Sequence, residues 1–320
     1  MRITDPTDEA IRAAATIIRG GGLVAFPTET VYGLGADALN PIACARIFEA
    51  KNRPRFDPLI VHIAQIDQLD DLCTAVDAMA RNLAERFWPG PLTLVLGKSD
   101  LVPEIVTAGL DTVAVRMPAH AVASRLLEGA DTPIAAPSAN PFGYISPTTA
   151  QHVDEQLGER VDMILDGGQC PVGVESSIVD LTAGRPVLLR AGGVSVEDIE
   201  AVVGSVEVSA ASPERVLAPG QLRNHYSPRT RLVILASHHS CAPVNERAGL
   251  LAFRTPADAE HFSLVEVLSP AGDVREAAAN LFSCLHRLDR AGLEIIYAEP
   301  VPESGLGRAI MDRLRRAARD

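Results

Sequence analysis

The sequence predicts an α/β (α+β) protein with a large mixed sheet, helices packed against it, and a smaller βαβ unit after it. Short apolar runs alternate with helical patterns over residues 1–204, which favours a sheet covered by helices. Residues 205–230 are rich in Ser, Ala, Pro and Gly and show little periodicity. The 320 residues are enough for two domains. We therefore expect a first domain over 1–204, a linker over 205–230 and a small α/β domain over 231–320.

Capping residues mark the helices of the first domain. Thr7 precedes "DEAIRAAATIIRGGG", in which acidic residues suit the positive helix end and glycines stop the helix. Asn40 and Pro41 open "NPIACARIFEAK", which should end near Lys51. Further helices are predicted at "VDAMARNLAERF", "TAQHVDEQLG" and "VEDIEAVVG". Strands are predicted at "LVAFP", "LIVHIA", "PLTLVLG", "TVAVRMP", "TPIAAPSA", "MILDGG", "SSIVDL" and "PVLLRAG".

The segment after the linker has a pattern of its own. Strands are predicted at "RLVILAS", "GLLAF" and "EIIYAEP", and helices at "AGDVREAAANLFSCLHRLDRAG" and "GLGRAIMDRLRRAARD". Strands joined through helices pair in parallel, so we expect a partly parallel sheet.

Composition excludes several classes of protein. The net charge of -12 argues against general affinity for nucleic acid or anionic membranes, although a local basic groove stays open. No apolar run reaches transmembrane length and the N-terminus has no apolar signal-peptide core, so we expect a cytoplasmic protein. The five cysteines, which are expected to be isolated reduced thiols, are Cys44, Cys73, Cys170, Cys241 and Cys284.

A cation cluster lies in "KNRPRFDPLIVH", between a helix and a strand. Lys51, Arg53 and Arg55 fall within five residues, and Lys51 is one of only two lysines among 29 lysines and arginines. These cations could simply form a solvated helix end. Pro54 and Pro58 stiffen the loop, however, and a compact ammonium suits a phosphate oxygen. We interpret the cluster as a phosphate clamp.

Polar groups recur where apolar strands end, in "PTETVYGLG", "APSANPFGYISPT" and "GVESSIVDL". They could be capped turns or ligand contacts. Arg116, inside an apolar strand, must pair with a protein carboxylate or with a ligand. His62 alone would more often be a core histidine. No nucleophile stands out, which favours a reaction run by positioning and electrostatics.

The linker divides into two unlike halves. "SVEVSAASPERVLAPG" is small and flexible, whereas "QLRNHYSP" concentrates Arg223, His225 and Tyr226 before Pro228. Such a stretch is either a passive tether or a functional lid. An aromatic beside cations suits a cover over a nucleotide, so we predict that the linker folds back across the first domain's cleft with Tyr226 over a nucleotide site.

In order along the chain, "FPTETVYGLG", "KNRP", "PLIVHI", "VAVRMP", "PSAN", "SPT", "ESSIVDL", "LLRAG" and "HYSP" resemble the threonylcarbamoyl-AMP synthase family in its two-domain form. The resemblance implies a YrdC-like twisted mixed sheet followed by a small Rossmann-like βαβ domain. It also implies a nucleotidyltransferase that combines L-threonine, bicarbonate and ATP into threonylcarbamoyl-AMP and diphosphate. This product serves threonylcarbamoyladenosine modification of tRNA.

The resemblance implies roles for individual residues. Lys51 and Arg53 are expected to be catalytic. Threonine would contact Thr30, His62, Arg116, Ser138 and Ser176. ATP would contact Lys51, Arg53, Asp57, Thr112, Asn140, Thr148, Arg190, His225 and Tyr226. Mg²⁺ is expected with ATP and no metal site on the protein itself. The implied partners are the small substrates and a downstream tRNA threonylcarbamoyl transferase machinery, with no membrane and with direct tRNA contact left open.

Three positions depart from the family pattern. Asp57 stands where the family often has Asn, Phe142 replaces a small polar residue, and Ser177 stands where Thr is common. An extra carboxylate beside a triphosphate should repel it, unless Asp57 binds Mg²⁺ or faces Arg55. Two alternatives remain at this point: a related carbamoyl-adenylate-forming transferase, and an RNA-binding module.

Overall fold

The computed structural model describes residues 3–209, 216–222, 225–236, 247–257 and 259–318. Arg223 of the predicted lid and Cys241 lie outside the described residues. Over the described residues, no helix is both long and apolar enough to cross a membrane.

Ten helices are described in the chain. They are α1 Asp8–Arg19, α2 Pro41–Lys51, α3 Leu69–Leu72, α4 Ala78–Phe87, α5 Glu104–Thr107, α6 Ala121–Ala130, α7 Ala150–Leu157, α8 Val196–Val203, α9 Val274–Arg290 and α10 Gly307–Ala317. The predicted caps are confirmed. Thr7 Oγ1 accepts the Ala10 N–H at 3.2 Å, and Asn40 Oδ1 accepts the Ile42 N–H at 3.0 Å. Helix α2 ends at Lys51, as predicted.

The first domain is built on one sheet of eleven strands. They are β1 Ile3–Thr4, β2 Val24–Phe26, β3 Gly33–Asp37, β4 Ile60–His62, β5 Leu92–Gly97, β6 Thr112–Arg116, β7 Ile134–Ala135, β8 Met163–Leu165, β9 Ser177–Asp180, β10 Val187–Arg190 and β11 Glu207–Val208. Their order is β1-β8-β2-β3-β7-β4-β6-β5-β9-β10-β11, with parallel and antiparallel pairs. The predicted mixed sheet is confirmed.

Strand β3 and helix α6 were missed by the sequence patterns. Strand β3 is "GLGAD", and glycine is normally unfavourable in a strand. Close packing explains it, because a Cβ on Gly35 would lie 2.7 Å from Phe26 Cε1 and 2.8 Å from Ile134 Cγ2. Helix α6 begins after His120, whose Nδ1 accepts the Val122 N–H at 3.2 Å, and histidine is not a usual capping residue.

The beginning of the linker is not structureless. Glu207 and Val208 form β11, which pairs in parallel with Val187 and Leu188 at the edge of the first sheet. The prediction of little regular structure from residue 205 is therefore wrong for these two residues. A two-residue strand is too short to give a recognisable alternation of side chains in the sequence.

The second domain contains a four-stranded sheet that is parallel throughout. Its strands are β12 Arg231–Ile234, β13 Ala248–Ala252, β14 Leu264–Val267 and β15 Ile295–Ala298, in the order β12-β15-β13-β14. Helix α9 connects β14 to β15, as a parallel pair requires. The predicted parallel βαβ unit is confirmed, and β14 at the sheet edge is an additional strand.

The two domains share apolar packing. Val31, Ile145 and Val174 of the first domain and Tyr226 of the linker belong to the same buried cluster as the second domain's α9 and α10. The second domain is thus packed against the first.

Candidate active site

A cavity lies on one face of the central strands of the first sheet. His62 on β4 and Arg116 on β6 are register partners on adjacent parallel strands, and both line it. Ile60 lines it too, because side chains two residues apart on a strand project to the same face. Residues 219–220 and 225–226 of the linker complete the wall.

Nine of the fourteen residues predicted for the site line this cavity. They are Thr30, Arg53, His62, Arg116, Ser138, Ser176, Arg190, His225 and Tyr226. The remaining five lie outside the lining, and they are Lys51, Asp57, Thr112, Asn140 and Thr148. The lining also contains Thr28 and Glu175, for which the sequence offered no separate signal.

Arg116 is paired with Glu29, the carboxylate of the "PTETVYGLG" stretch. Its Nη2 lies 2.6 Å from Glu29 Oε1, and its Nη1 donates to Thr30 Oγ1 at 2.9 Å. Thr30 Oγ1 in turn lies 2.8 Å from Thr28 Oγ1. Each terminal guanidinium nitrogen carries two N–H groups, so donors remain for a ligand in the cavity. Of the two alternatives for Arg116, the protein carboxylate is the one seen.

His62 is 3% exposed, and its Nδ1 has no hydrogen-bond partner among the described residues. Burial, reinforced by the charge of Arg116, lowers the pKa of His62 to about 3. The imidazole is therefore neutral at pH 7 and can accept or donate one hydrogen bond. A buried polar atom without a partner beside a cavity indicates a place for a ligand atom.

Asp57 is bound by Arg53, and not by Arg55, which was one of the two alternatives raised by the sequence. Arg53 Nη2 lies 3.0 Å from Asp57 Oδ2, and both side chains are buried, whereas Arg55 is exposed. Arg53 also donates to Pro58 O at 2.7 Å. Burial raises the pKa of Asp57 and the guanidinium of Arg53 opposes that rise. The carboxylate thus holds Arg53 in place at the cavity wall.

Lys51 is 1% exposed and its ammonium donates to two backbone carbonyls, those of Ser138 and Asn140. These carbonyls belong to the loop after β7, which places Ser138 at the cavity. Burial, followed by the charge of Arg53, lowers the pKa of Lys51. The compact ammonium therefore ties the Ser138–Asn140 loop to the end of α2.

A bulge in β10 sets the position of Arg190. Leu188 pairs with Val179 and Arg190 with Ile178, so Leu189 is the extra residue. Arg190 Nη2 donates to Ser176 Oγ at 3.0 Å, and its Nη1 donates to Pro219 O of the linker at 3.0 Å. Arg190 therefore joins the first domain to the linker across the cavity.

The linker residues His225 and Tyr226 are buried at the cavity wall, and their rings meet at 71° with centroids 4.1 Å apart. Tyr226 has a φ of 62°, in the left-handed region, and its hydroxyl has no hydrogen-bond partner in the described part of the chain. Gly220 lies against it, since a Cβ there would be 2.5 Å from the Tyr226 hydroxyl. Burial raises the pKa of Tyr226 to about 12.

The other predicted residues lie behind the wall. Asn140 Nδ2 donates to Tyr144 O at 2.9 Å, and Thr148 Oγ1 lies 2.9 Å from Ser283 Oγ of the second domain. Thr112 begins β6, four residues before Arg116. Asn140 and Thr148 are thus held by contacts within the protein, and none of the three residues lines the cavity.

Taken together, the cavity is lined by three buried arginines, the imidazoles of His62 and His225, and several hydroxyls beside the Tyr226 ring. This set can bind anions away from water, and Arg190 also donates to Pro219 O of the linker. Within the described residues, no group of three or more His, Cys, Asp or Glu side chains could hold a metal ion.

Comparisons with known proteins agree with this geometry. Residues 16–192 match the Sua5–YciO–YrdC family, described as "Telomere recombination", and residues 194–319 match the threonylcarbamoyl-AMP synthase C-terminal domain. A threonylcarbamoyl-AMP synthase of Pyrococcus abyssi is 47% identical over 96% of this chain and 94% of its own length. One from Bacillus subtilis is 42% identical over 97% and 93%. The crystal structure of P. abyssi Sua5 complexed with L-threonine has a TM-score of 0.92 at 45% identity, covering 99% of this chain and 96% of that one.

The fold and the cavity thus define a two-domain α/β protein with a YrdC-like first domain and an arginine-lined cavity whose wall includes linker residues. The comparisons extend that class to the family. The chain belongs to the threonylcarbamoyl-AMP synthase family.

Proposed function

We propose that this chain synthesises threonylcarbamoyl-AMP from L-threonine, bicarbonate and ATP and releases diphosphate. The observation that carries the proposal is a single cavity lined by three buried arginines, of which Arg116 pairs with Glu29 and Arg190 donates to Pro219 O of the linker. The reaction needs two anionic substrates side by side. A site with separated, buried guanidinium groups supports that arrangement.

Threonine is proposed to bind at Arg116. Its carboxylate would take the free N–H groups of Arg116, and its hydroxyl would meet the Thr28 and Thr30 hydroxyls. The neutral His62 would accept a hydrogen bond from the substrate amine. An uncharged imidazole suits this place, because a second cation beside Arg116 would repel the ammonium form of threonine.

The chemical step is proposed to proceed by positioning. The threonine amine and bicarbonate give an N-carboxylate with loss of water, and a carboxylate oxygen then attacks the α-phosphorus of ATP while diphosphate leaves. Arg53 and Arg190 would neutralise charge developing on the phosphates. His225 and Tyr226 would cover the nucleotide and keep water from the N-carboxylate, which hydrolyses readily. Lys51 would act by fixing the loop that carries Ser138.

Mg²⁺ is proposed to arrive with ATP, bound to its phosphates. Asp57, the carboxylate that follows the cation cluster in the sequence, is already engaged by Arg53. The described residues therefore fit MgATP as a substrate. The threonylcarbamoyl group of the product is proposed to pass to adenosine in tRNA through a separate transferase machinery.

The test is diphosphate release with each of L-threonine, bicarbonate and ATP omitted in turn, together with mass-spectrometric detection of threonylcarbamoyl-AMP. Release should require all three substrates. Valine should fail, because it leaves buried hydroxyls unpaired, and serine should be poorer than threonine by roughly 1 kcal/mol for one buried methyl. Equal turnover of valine and threonine would contradict the threonine pocket.

A further inference from the structure

Arg313, on α10 of the second domain, is fully buried beside the first domain's site. Its Nε donates to Glu175 Oε2 at 2.8 Å, and its Nη1 donates to Ala191 O at 2.9 Å. Its Cζ lies 5.0 Å from the centre of the Tyr226 ring, within the range of a cation–π contact. One guanidinium therefore touches the first domain and the linker together.

Each group that Arg313 touches belongs to the cavity wall or adjoins it. Glu175 lines the cavity and accepts the Ser146 hydroxyl at 2.5 Å, and the next residue is Ser176. Ala191 directly follows Arg190. Although burial raises the pKa of Glu175, the charges of Arg313 and Arg190 hold that pKa below its ordinary value. Glu175 is therefore an anion at neutral pH, held between two arginines.

A purely structural ion pair is the alternative. Buried pairs are weak contributors to stability compared with apolar packing, so stability alone does not explain a charge at this position. The other described arginines of α10 make different contacts: Arg308 lies 3.7 Å from Glu197, Arg315 is exposed and pairs with Glu303, and Arg316 donates to Gln221 O and Leu222 O in the linker. Among the described residues of 231–318, none lines the cavity. Arg313 thus places a charge of the second domain against both Glu175 and Tyr226, which line the cavity.

We propose that Arg313 is a positioning residue through which the second domain makes the site competent for ATP. It holds the Glu175 carboxylate and the Tyr226 ring in the arrangement that the nucleotide needs. This inference rests on the proposed function and deepens it by giving the second domain a part in nucleotide binding.

The test measures ATP affinity by calorimetry and the KM values for ATP and threonine in the full chain. Arg313→Met, which removes the charge but keeps an unbranched chain, should weaken ATP binding and raise the ATP KM about tenfold, while the threonine KM changes less than about threefold. Tyr226→Ala should also weaken ATP binding. Combined with Arg313→Met, it should give less than the product of the two single effects, because both act on one contact. The matched control on the same helix, Arg315→Met, should bind ATP as the parent does.

Equal changes in both KM values, or independent effects of Arg313→Met and Tyr226→Ala, would reduce Arg313 to a structural residue. If Arg313→Met does not fold, the same measurements on Arg313→Lys are judged by the same criteria. Lysine keeps the charge but loses the directional hydrogen bonds of the guanidinium. A parent chain that binds ATP without making the adenylate would overturn the proposed function and leave the affinity test of Arg313 valid. A parent chain that binds no ATP would overturn both.

Discussion

Two buried arginine–glutamate pairs lie beside the same cavity, one within the first domain and one between the two domains. Arg116 and Glu29 both come from the first domain, and Arg116 itself lines the cavity. Arg313 comes from the second domain and does not line the cavity, but it contacts Glu175 and Tyr226, which do. The first domain thus supplies side chains that can touch a ligand, whereas the second domain supports such side chains from behind. The same chemistry performs two different tasks because of where the arginine is placed.

The largest effect is expected from Arg116→Ala, which removes the arginine–glutamate pair within the first domain. Loss of the guanidinium leaves Glu29 buried without its partner, which costs roughly 3–5 kcal/mol. Threonine use should fall on the order of a hundredfold or more, while ATP affinity stays near that of the parent. Threonine use is measured as diphosphate release at increasing threonine concentration, and ATP affinity is measured by calorimetry.

A matched control for Arg116→Ala is Arg81→Ala, which removes an exposed ion pair with Asp70 in the same domain. It should leave both quantities unchanged, because exposed pairs contribute about 1 kcal/mol or less. If Arg116→Ala weakened ATP and threonine alike, the division of the cavity into two sides would be wrong.

Lys51 offers a second, smaller test within the first domain. Lys51→Arg keeps the charge but places a larger, planar group in an enclosed site where two carbonyls converge. Overpacking of this kind costs roughly 1–3 kcal/mol, so we expect a lower melting temperature and slower diphosphate release. The other lysine of the chain provides the control, since Lys98→Arg, at a half-buried position, should change neither. If Lys51→Arg behaved like the parent, the site would not require a lysine at position 51.

Between the domains, acid should weaken the contact of His152 with His286. Their rings lie 4.0 Å apart, and burial lowers the pKa of His152 to about 3 and that of His286 to about 4. Arg287 and Arg290 lower the pKa of His152 further. The unfolded chain therefore binds more protons below its histidine pKa of about 6.5, and stability should fall from about pH 6.5 downwards by an order of 1–3 kcal/mol near pH 5.5.

Melting temperatures between pH 7.5 and 4.5 measure this effect. His286→Gln should flatten the pH dependence, whereas His261→Gln, at an exposed position, should not. A parent melting temperature that stays constant down to about pH 5 would show that the histidine contact between the domains does not respond to acid.

The smallest effect is expected within the second domain, at the exposed pair of Arg287 and Glu266. Arg287 Nη2 lies 2.7 Å from Glu266 Oε2, and the Arg287 side chain is 54% exposed. Arg287→Ala should change the free energy of unfolding by about 0.5 kcal/mol or less and leave ATP affinity unchanged. Urea unfolding and calorimetry measure both. Weaker ATP binding in this variant would mean that helix α9 also supports the site.

The sequence predicted most of the fold and a large part of the site. Capping at Thr7 and Asn40, the apolar strands and the parallel second sheet all follow from local patterns, and the family is confirmed by the comparisons. Glu175 and Arg313 were missed, and Glu29 was noted only as the carboxylate of the "PTETVYGLG" stretch, not as a partner of Arg116. A buried carboxylate or arginine looks like an ordinary surface residue in the sequence, because nothing local distinguishes a charge that will be paired across the fold.

What the sequence determined by itself is what short-range chemistry decides: helix ends, strand positions, the aliphatic core and the ordered motifs that place the chain in its family. Only the tertiary structure decided which cations face the cavity. Lys51 and Arg53 are two residues apart, yet one binds the backbone carbonyls of a loop while the other lines the cavity beside His225. Arg116 and Glu29, or Arg313 and Glu175, meet across 87 and 138 positions of the chain. Such pairs depend on which strands and helices pack together, because a charge can be buried only where folding brings it a partner.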